Sequence, residues 1–261
     1  MKTTLIADIG TNWHSLDDIL RSIDALRAHG VLAKLQAWIT EEFVRKGHLQ
    51  WDAYKRWEIP ESWYKKLRAP DVFFTPFDLK SVDRVERICA PQYWKIASPD
   101  CVYRPLVKKV AELEKPTFMS VGGATDTEVC DAIGWFSGWS RLNKLTLLDS
   151  VCNYPCKNAE LGHFRNRSFS NSRWGYSSHS RSTLVPALVV ALGAVAVEVH
   201  FRLDAITDTP DAGHSFTQVK LKKVVSLIEE AEANCGDSKR PCAEEVVNLR
   251  RARRGKDGKR C

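Results

Sequence analysis

No run in this 261-residue chain is long and apolar enough to span a bilayer, and the opening Met-Lys-Thr-Thr-Leu-Ile-Ala-Asp has no apolar signal-peptide core. Those two absences leave out a spanning helix and a secretory leader, and the expectation is a soluble, cytoplasmic protein. The eight cysteines include no Cys-x-x-Cys pair and lie scattered through core-like runs. They read as reduced thiols used as small apolar residues, not as an oxidised scaffold. Charge of one sign is also scarce in the body. Of the net +7, Lys239–Cys261 supplies +6, from nine Lys/Arg against Glu244, Glu245 and Asp257. A basic field over the fold is therefore excluded. Nucleic-acid binding is confined to the tail, where a solvated end is the alternative. Finally, the first β-like run ends in Gly10-Thr-Asn-Trp, which is no glycine-rich phosphate loop, and this argues against a doubly wound nucleotide-binding sheet.

What is present is a regular alternation of short apolar runs with amphipathic segments. Eight runs read as strands: Leu5–Gly10, Val31–Trp38, Val72–Phe77, Tyr93–Ser98, Pro116–Gly122, Lys144–Val151, Trp174–Ser178 and Ala194–Phe201. Helices are predicted over Leu16–His29, Ser62–Arg68, Ser81–Cys89, Pro105–Leu113, Thr127–Phe136, Ser182–Leu192 and Val219–Asn234, with Lys157–Phe169 undecided. Eight strand-helix repeats with right-handed crossovers close as a single (β/α)8 barrel of the α/β class, a TIM barrel over residues 1–236. Residues 237–261 follow as a short basic tail, expected to be partly disordered.

In such a barrel, chemistry belongs to the C-terminal ends of the strands. Polar residues collect there: Asp8, Asn12, Lys34, Gln36, Thr75, Lys95, Ser98, Asp100, Ser120, Asn153, Tyr154, Ser177, His179, Glu198 and His200. One polar residue in an apolar strand is usually a satisfied core group. Polar residues at the same end of eight strands point to a site. His179 and His200, at the ends of adjacent strands, form half of a plausible metal site whose other positions substrate and water oxygens would complete.

Taken in order, Ile6-Ala-Asp-Ile-Gly-Thr-Asn12, Lys34-Leu-Gln36, Phe74-Thr-Pro-Phe-Asp78, Lys95-Ile-Ala-Ser98, Lys115-Pro with Ser120-Val-Gly122, Tyr154-Pro155, Gly175-Tyr-Ser-Ser-His179 and Glu198-Val-His-Phe201 resemble the sialic acid synthase family from about Leu5 to Ser215. The resemblance implies condensation of phosphoenolpyruvate with an aldose or amino-sugar aldehyde to give a nonulosonic-type 2-keto acid, with release of phosphate. It implies a divalent metal, manganese or magnesium, held by His179 and His200. Lys34 and Lys95 match the phosphoenolpyruvate-binding lysines, and Thr75, Ser98, Ser120 and Ser177 the hydroxyl donors. Gln36 and Tyr154 line the same cavity in this reading, with Asn12, Asn153, Asp211 and Ser215 as further substrate contacts. Asp8, Asp100 and Glu198 are the candidates to orient or deprotonate water.

The chain departs from the family pattern mostly on the acceptor side. Asp8 stands for a glutamate, Trp13 for a histidine, Ser178 for an aspartate, and Ala212 for the histidine of an Asp-His pair. After Glu244-Glu-Val-Val-Asn-Leu-Arg-Arg-Ala-Arg-Arg254, which resembles the family's linker, the sequence reaches Cys261 without the antifreeze-like capping domain. The site is thus expected to be more open, or covered by Ile39–Pro60 with Trp51, Tyr54 and Trp57, which read equally as an ordinary helix face. A homodimer is left open. Two alternatives stand beside the synthase: a catalytically silent barrel used for binding or assembly, and a synthase-derived protein that acts on nucleic acid through its tail.

Overall fold

Eight parallel strands pair in chain order and the last closes on the first: β1 (Thr4–Asp8), β2 (Leu32–Ala37), β3 (Val72–Pro76), β4 (Trp94–Ile96), β5 (Thr117–Ser120), β6 (Leu145–Ser150), β7 (Arg173–Ser178) and β8 (Ala196–His200). The computed structural model describes residues 2–137, 142–157, 173–235, 242–256 and 259–260. Each predicted strand is present with its ends shifted by a few residues, and the (β/α)8 barrel is the observed architecture. The undecided segment Lys157–Phe169 lies, beyond Lys157, outside the described residues.

The barrel is built by strand alternation. Side chains two apart share a face, and one face carries Ile6, Phe73, Phe118, Leu148 and Ala196 as a separate apolar cluster, with Leu32 and Tyr93 packed on it. This cluster is the floor of the barrel interior. The residues two further along, Asp8, Lys34, Thr75, Lys95, Ser120 and Glu198, form a polar layer above it. The alternate face, including Ala7, Leu35, Phe74, Ile96, Met119, Leu147, Val197 and Val199, belongs to the larger core shared with the helices. One register thus sends apolar residues out to the helices and polar residues to the mouth. Gly175 has room for no side chain: a β-carbon there would lie 2.7 Å from Leu148 and collide with the Ala196 carbonyl.

The outer layer is formed by α1 (Leu16–Arg27), α4 (Leu79–Ile88), α5 (Arg104–Glu112), α6 (Asp126–Ser137), α7 (Val185–Ala191) and α8 (Gln218–Asn234). α1 starts at a full capping box, with Ser15 and Asp18 satisfying each other's backbone N–H groups, and buries Ile19, Ile23 and Leu26. Between β2 and β3 the chain adds α2 (Thr40–Phe43), α3 (Trp51–Trp57) and a 3-10 turn over Glu61–Leu67, where an α-helix was expected from Ser62.

Part of the basic tail is helical. Residues 243–252 form α9 (Ala243–Ala252), entered through a second capping box between Cys242 and Glu245. Its Ala, Glu, Leu and Arg are strong helix formers, and its acidic first turn and basic last turn oppose the helix dipole. No described helix is long and apolar enough to cross a membrane. Among the described residues, the cysteines at 89, 101, 130, 152, 156, 235 and 242 form no disulfide.

Candidate active site at the C-terminal mouth

The polar layer is a compact charge cluster. Lys34 Nζ lies 2.8 Å from Asp8 Oδ2 and 3.7 Å from Glu198 Oε2, and donates to Thr75 Oγ1 at 3.0 Å. Lys95 Nζ donates to Ser120 Oγ at 2.7 Å and to the Ile96 carbonyl at 3.0 Å, and sits 3.9 Å from Glu198 Oε1. Ser177 Oγ donates to the same Glu198 oxygen at 2.9 Å, and Gln36 Nε2 donates to Asp8 at 3.1 Å. All four charged groups are buried. Two ammonium and two carboxylate groups therefore balance one another where isolated charges would be costly.

Their titration follows from that balance. Burial alone would raise the Asp8 and Glu198 carboxyls, but Lys34, with His200 for Asp8 and Lys95 for Glu198, outweighs it and holds both below the usual carboxylate range. Burial would likewise lower Lys34, yet Asp8 and Glu198 raise it. Lys95 is different: burial, with repulsion from Lys34, outweighs Glu198 and brings it down to about 8. At neutral pH all four stay charged, with Lys95 nearest its titration point.

These groups surround a cavity of about 150 Å³ also lined by Gln36, Ser98, Ser177, Tyr154, His179 and His200. A larger groove of about 670 Å³ at the opposite end of the barrel, lined by Thr3, Val195 and Glu232 among others, gathers no comparable set of buried charges. Beside the cavity, and sharing Gln36 and Phe77 with it, is an aromatic hollow of about 290 Å³ lined by Trp38, Phe43, Tyr54 and Trp57. The residues from α3 thus serve both readings given to them: Trp57 is buried in the core, and the same helix walls a hollow at the mouth.

The histidines stand at the rim. The His179 and His200 rings are 5.4 Å apart, the Tyr154 ring packs against His179 at 4.0 Å with a tilt of 38°, and His179 Nδ1 is hydrogen-bonded to the Val151 carbonyl at 2.7 Å. A third imidazole, His214, lies 4.4 Å from the His200 ring and was not singled out from the sequence. It stands two residues past the position where an Asp-His pair would have put it. His200, Asp211 and His214 offer ligand atoms that all fall within 4.8 Å of one another. His200 Nδ1 and His214 Nε2 are buried and have no hydrogen-bond partner among the described residues. Burial, reinforced by His200, takes His179 down to about 3 and His214 to about 4, so both rings are neutral and carry lone pairs at physiological pH. This donor set fits a divalent metal ion.

Several predicted site residues lie elsewhere. Asp100 follows β4 in a neighbouring groove with Phe77, Asp78 and Tyr103, and burial raises it to about 6. Asn153 is exposed and does not line the cavity. Asn12 and Ser215 are buried ties: Asn12 Nδ2 donates to the Phe201 carbonyl at 2.9 Å and to Ser215 Oγ at 2.8 Å, and its Oδ1 accepts from Thr209 at 2.6 Å. Asp211, by contrast, stands at the rim with His200 and His214, and its Oδ2 accepts from the Thr11 backbone at 2.8 Å and the Thr11 hydroxyl at 2.9 Å. Gly10, at φ +53°, lets Asp211 come this close, since a β-carbon there would collide with its carboxylate. Trp13 turns away from the mouth, packing edge-on at 5.4 Å from Trp57 and 5.6 Å from Trp63 and donating to the Gly10 carbonyl.

Comparison with known proteins agrees with this geometry. A family model described as the NeuB family matches residues 25–240. Pseudaminic acid synthase of Campylobacter jejuni is 30% identical over 275 residues, covering 95% of this chain and 79% of that protein. N,N'-diacetyllegionaminic acid synthase of the same organism is 32% identical over 181 residues, covering 67% of this chain and 54% of its own. Among solved structures, a sialic acid synthetase from Leptospira borgpetersenii in complex with citrate superposes with a TM-score of 0.88 at 25% identity, covering 95% of this chain and 90% of that one.

Proposed function

The chain belongs to the NeuB family of synthases, and from that premise we propose that it condenses phosphoenolpyruvate with an amino-sugar aldehyde to give a nonulosonic 2-keto acid and inorganic phosphate. The observation that carries this reading is the convergence of two buried lysines from β2 and β4, each with its own hydroxyl partner, on one small cavity. Phosphoenolpyruvate has a phosphate and a carboxylate to place, and fixed cations with short donors are what such an anion needs.

In the proposed cycle Lys34 and Lys95, with Thr75, Ser98 and Ser120, hold the two anionic groups. Gln36 and Tyr154 close the sides of the same space. C3 of phosphoenolpyruvate forms a bond to the aldehyde carbon, and the carbonyl oxygen takes up a proton to become a hydroxyl. Water adds to the cation left at C2. Glu198, fixed by Ser177, accepts the water proton, with Asp8 orienting the molecule beside it. The tetrahedral adduct then breaks the C2–O bond to the phosphate, which leaves with the proton of the C2 hydroxyl, and the 2-keto acid remains. A divalent ion, manganese or magnesium, at the His179–His200 corner would polarise the acceptor's carbonyl as a Lewis acid. The aromatic hollow beside the cavity suits an acceptor with apolar substituents such as acetamido methyl groups.

The silent-barrel alternative rested on Asp8, Trp13, Ser178 and the missing capping domain. Asp8 keeps its ion pair with Lys34, and Trp13 takes no part in the mouth, so the synthase is favoured. Phosphate release from phosphoenolpyruvate, assayed with a panel of N-acetylated hexosamines and diacetamido sugars plus manganese, tests the reading. It expects turnover with at least one sugar, lost in Lys34→Met and Lys95→Met proteins that still melt cooperatively. No phosphate release across the panel would overturn it.

A further inference from the structure

We propose that the aromatic hollow beside the charged cavity holds the body of the acceptor, and that its walls select a neutral, deoxygenated, N-acylated sugar over a sugar phosphate. The hollow's role in turnover rests on the proposed condensation, whereas its preference among sugars follows from its walls alone. The rings that form it come from the stretch between β2 and β3 and from the turn after β3.

Four of the rings close on one another. Trp38 meets Tyr54 at 6.0 Å, Tyr54 meets Phe43 at 5.0 Å, Phe43 meets Phe77 at 5.3 Å, and Phe77 returns to Trp38 at 6.0 Å. Each ring thus has two aromatic neighbours, and together they make one continuous apolar wall. The wall is also fixed in place. Trp38 Nε1 donates to the Tyr54 carbonyl at 2.9 Å, and the Phe77 amide donates to the Ala37 carbonyl at 2.9 Å. Glu58, just past α3, ties that helix to α2 by accepting from the Thr40 amide at 3.1 Å and its hydroxyl at 2.8 Å. Walls set before a ligand arrives need little ordering when it binds.

The hollow also opens on the reacting space. It shares Gln36 and Phe77 with the charged cavity, and Thr11 and Pro210 line its opposite side. Thr11 is bonded to Asp211 at the rim, and Pro210 precedes Asp211 in the chain. A sugar whose aldehyde lies at the histidine corner therefore runs past Thr11 and Gln36 onto the rings. The volumes divide the substrates in the same way. The charged cavity offers about 150 Å³ to a small anion, and the hollow about 290 Å³ to a larger body.

The chemistry of the walls sets the preference. Among the described residues, no charged side chain lines the hollow. The basic residues of α3 are turned to other tasks: Lys55 pairs with Glu41 at 2.9 Å and Glu58 at 3.1 Å, and Arg56 lies over the Trp57 ring at 5.1 Å. A phosphate placed here would give up water with no cation to replace it. Sugar hydroxyls facing the rings would likewise be left unpaired, whereas C–H faces and methyl groups gain by leaving water. Gln36 supplies the polar contact at the entrance. Its Nε2 is committed to Asp8, which leaves Oε1 to accept from the N–H of an acylamino group.

The test uses sugar alcohols, which lack the aldehyde and cannot react. A 2-acetamido-2-deoxyhexitol, its 6-phosphate and a 2,4-diacetamido-2,4,6-trideoxyhexitol are titrated into the full chain by calorimetry, with and without phosphoenolpyruvate and manganese. The diacetamido alcohol should bind about tenfold tighter than the monoacetamido one, the contribution of two methyl groups moved from water onto an apolar wall. The 6-phosphate should bind at least about tenfold more weakly than its neutral parent. Tyr54→Ala should weaken the diacetamido alcohol about tenfold and leave phosphoenolpyruvate affinity unchanged, because Tyr54 lies outside the charged cavity. Gln50→Lys, which sets a cation at the exposed edge of the hollow, should raise the 6-phosphate to at least its parent's affinity, a gain that only a folded protein can show. No binding of any alcohol, equal wild-type affinity for the phosphate and its parent, or an unchanged diacetamido affinity in Tyr54→Ala overturns the proposal. Alcohols that bind in the expected order, with no phosphate released when the parent aldehydes are supplied, sink the condensation and leave the hollow as a sugar site. Phosphate release whose sugar KM is untouched by Tyr54→Ala does the reverse.

Discussion

The Lys34 ammonium lies 2.8 Å from the Asp8 carboxylate, both of them buried, one at the end of β1 and the other in mid β2. Because each charge is the other's main compensation, removing one leaves the other stranded. Lys34→Met should destabilise the fold by about 3–5 kcal/mol in chemical denaturation. The double variant Asp8→Asn with Lys34→Met should recover much of that loss while remaining inactive. A single variant as stable as the wild type would show that the pair is not a closed unit.

Lys95 gives the site a pH dependence with a definite sign. Its ammonium is held down to about 8 by burial, against an ordinary value of 10.5. Between those values the unfolded chain holds a proton that the folded chain has shed, so this group's contribution to stability rises as pH goes from 8 to 10.5. Anion binding runs the other way. Phosphoenolpyruvate needs the charged form, and its affinity, measured by tryptophan fluorescence, should fall as pH is raised through about 8. Lys95→Arg, which stays charged, should abolish that limb.

Trp13 tests how far a single residue type can be read. In the sequence it stands where the family pattern has histidine, one of the departures assigned to the acceptor side. The chain instead turns at Gly10, and Trp13 is buried against Trp57 and Trp63. Trp13→His should therefore cost stability, on the order of 3 kcal/mol from the lost packing. It should leave the acceptor's KM within about twofold in whatever fraction stays folded, since the ring does not line the cavity. A large change in KM at unchanged stability would put the ring back in the site.

The same contrast explains what else was legible. The barrel and its polar layer follow from period-two alternation, which any strand displays directly in its residues, so Asp8, Lys34, Thr75, Lys95, Ser120 and Glu198 could be placed together before any coordinates. Loops have no such period. In the segment after β8 the family pattern points to Asp211 and Ser215 and to the lost histidine at Ala212, and only the backbone path brings His214 to His200. The family pattern implies Asn12 and Ser215 as substrate contacts, whereas in the fold Asn12 donates to Ser215 inside the wall. For α9 the sequence does carry a signal, since Cys242 with Glu245 three residues on is a capping arrangement, but a cysteine is a rare N-cap and the segment is otherwise dominated by basic residues.

Glu198 separates binding from chemistry. Its carboxylate lies 3.7 Å from Lys34 and 3.9 Å from Lys95 and is oriented by Ser177 at 2.9 Å. As a buried negative charge it opposes the arrival of an anionic substrate, and as a base it is needed once the substrate is there. Glu198→Gln keeps the shape and removes both effects. Phosphoenolpyruvate should then bind at least as tightly as to the wild type, because both lysines are released to it. Turnover should fall by about a hundredfold or more, the usual contribution of a positioned base. Ser177→Ala should lower kcat by a smaller factor with little change in phosphoenolpyruvate affinity, because the carboxylate keeps its charge and loses only its orientation. If Glu198→Gln instead weakened phosphoenolpyruvate binding while kcat held, the carboxylate would be a substrate-positioning group and the proton would have to go to Asp8.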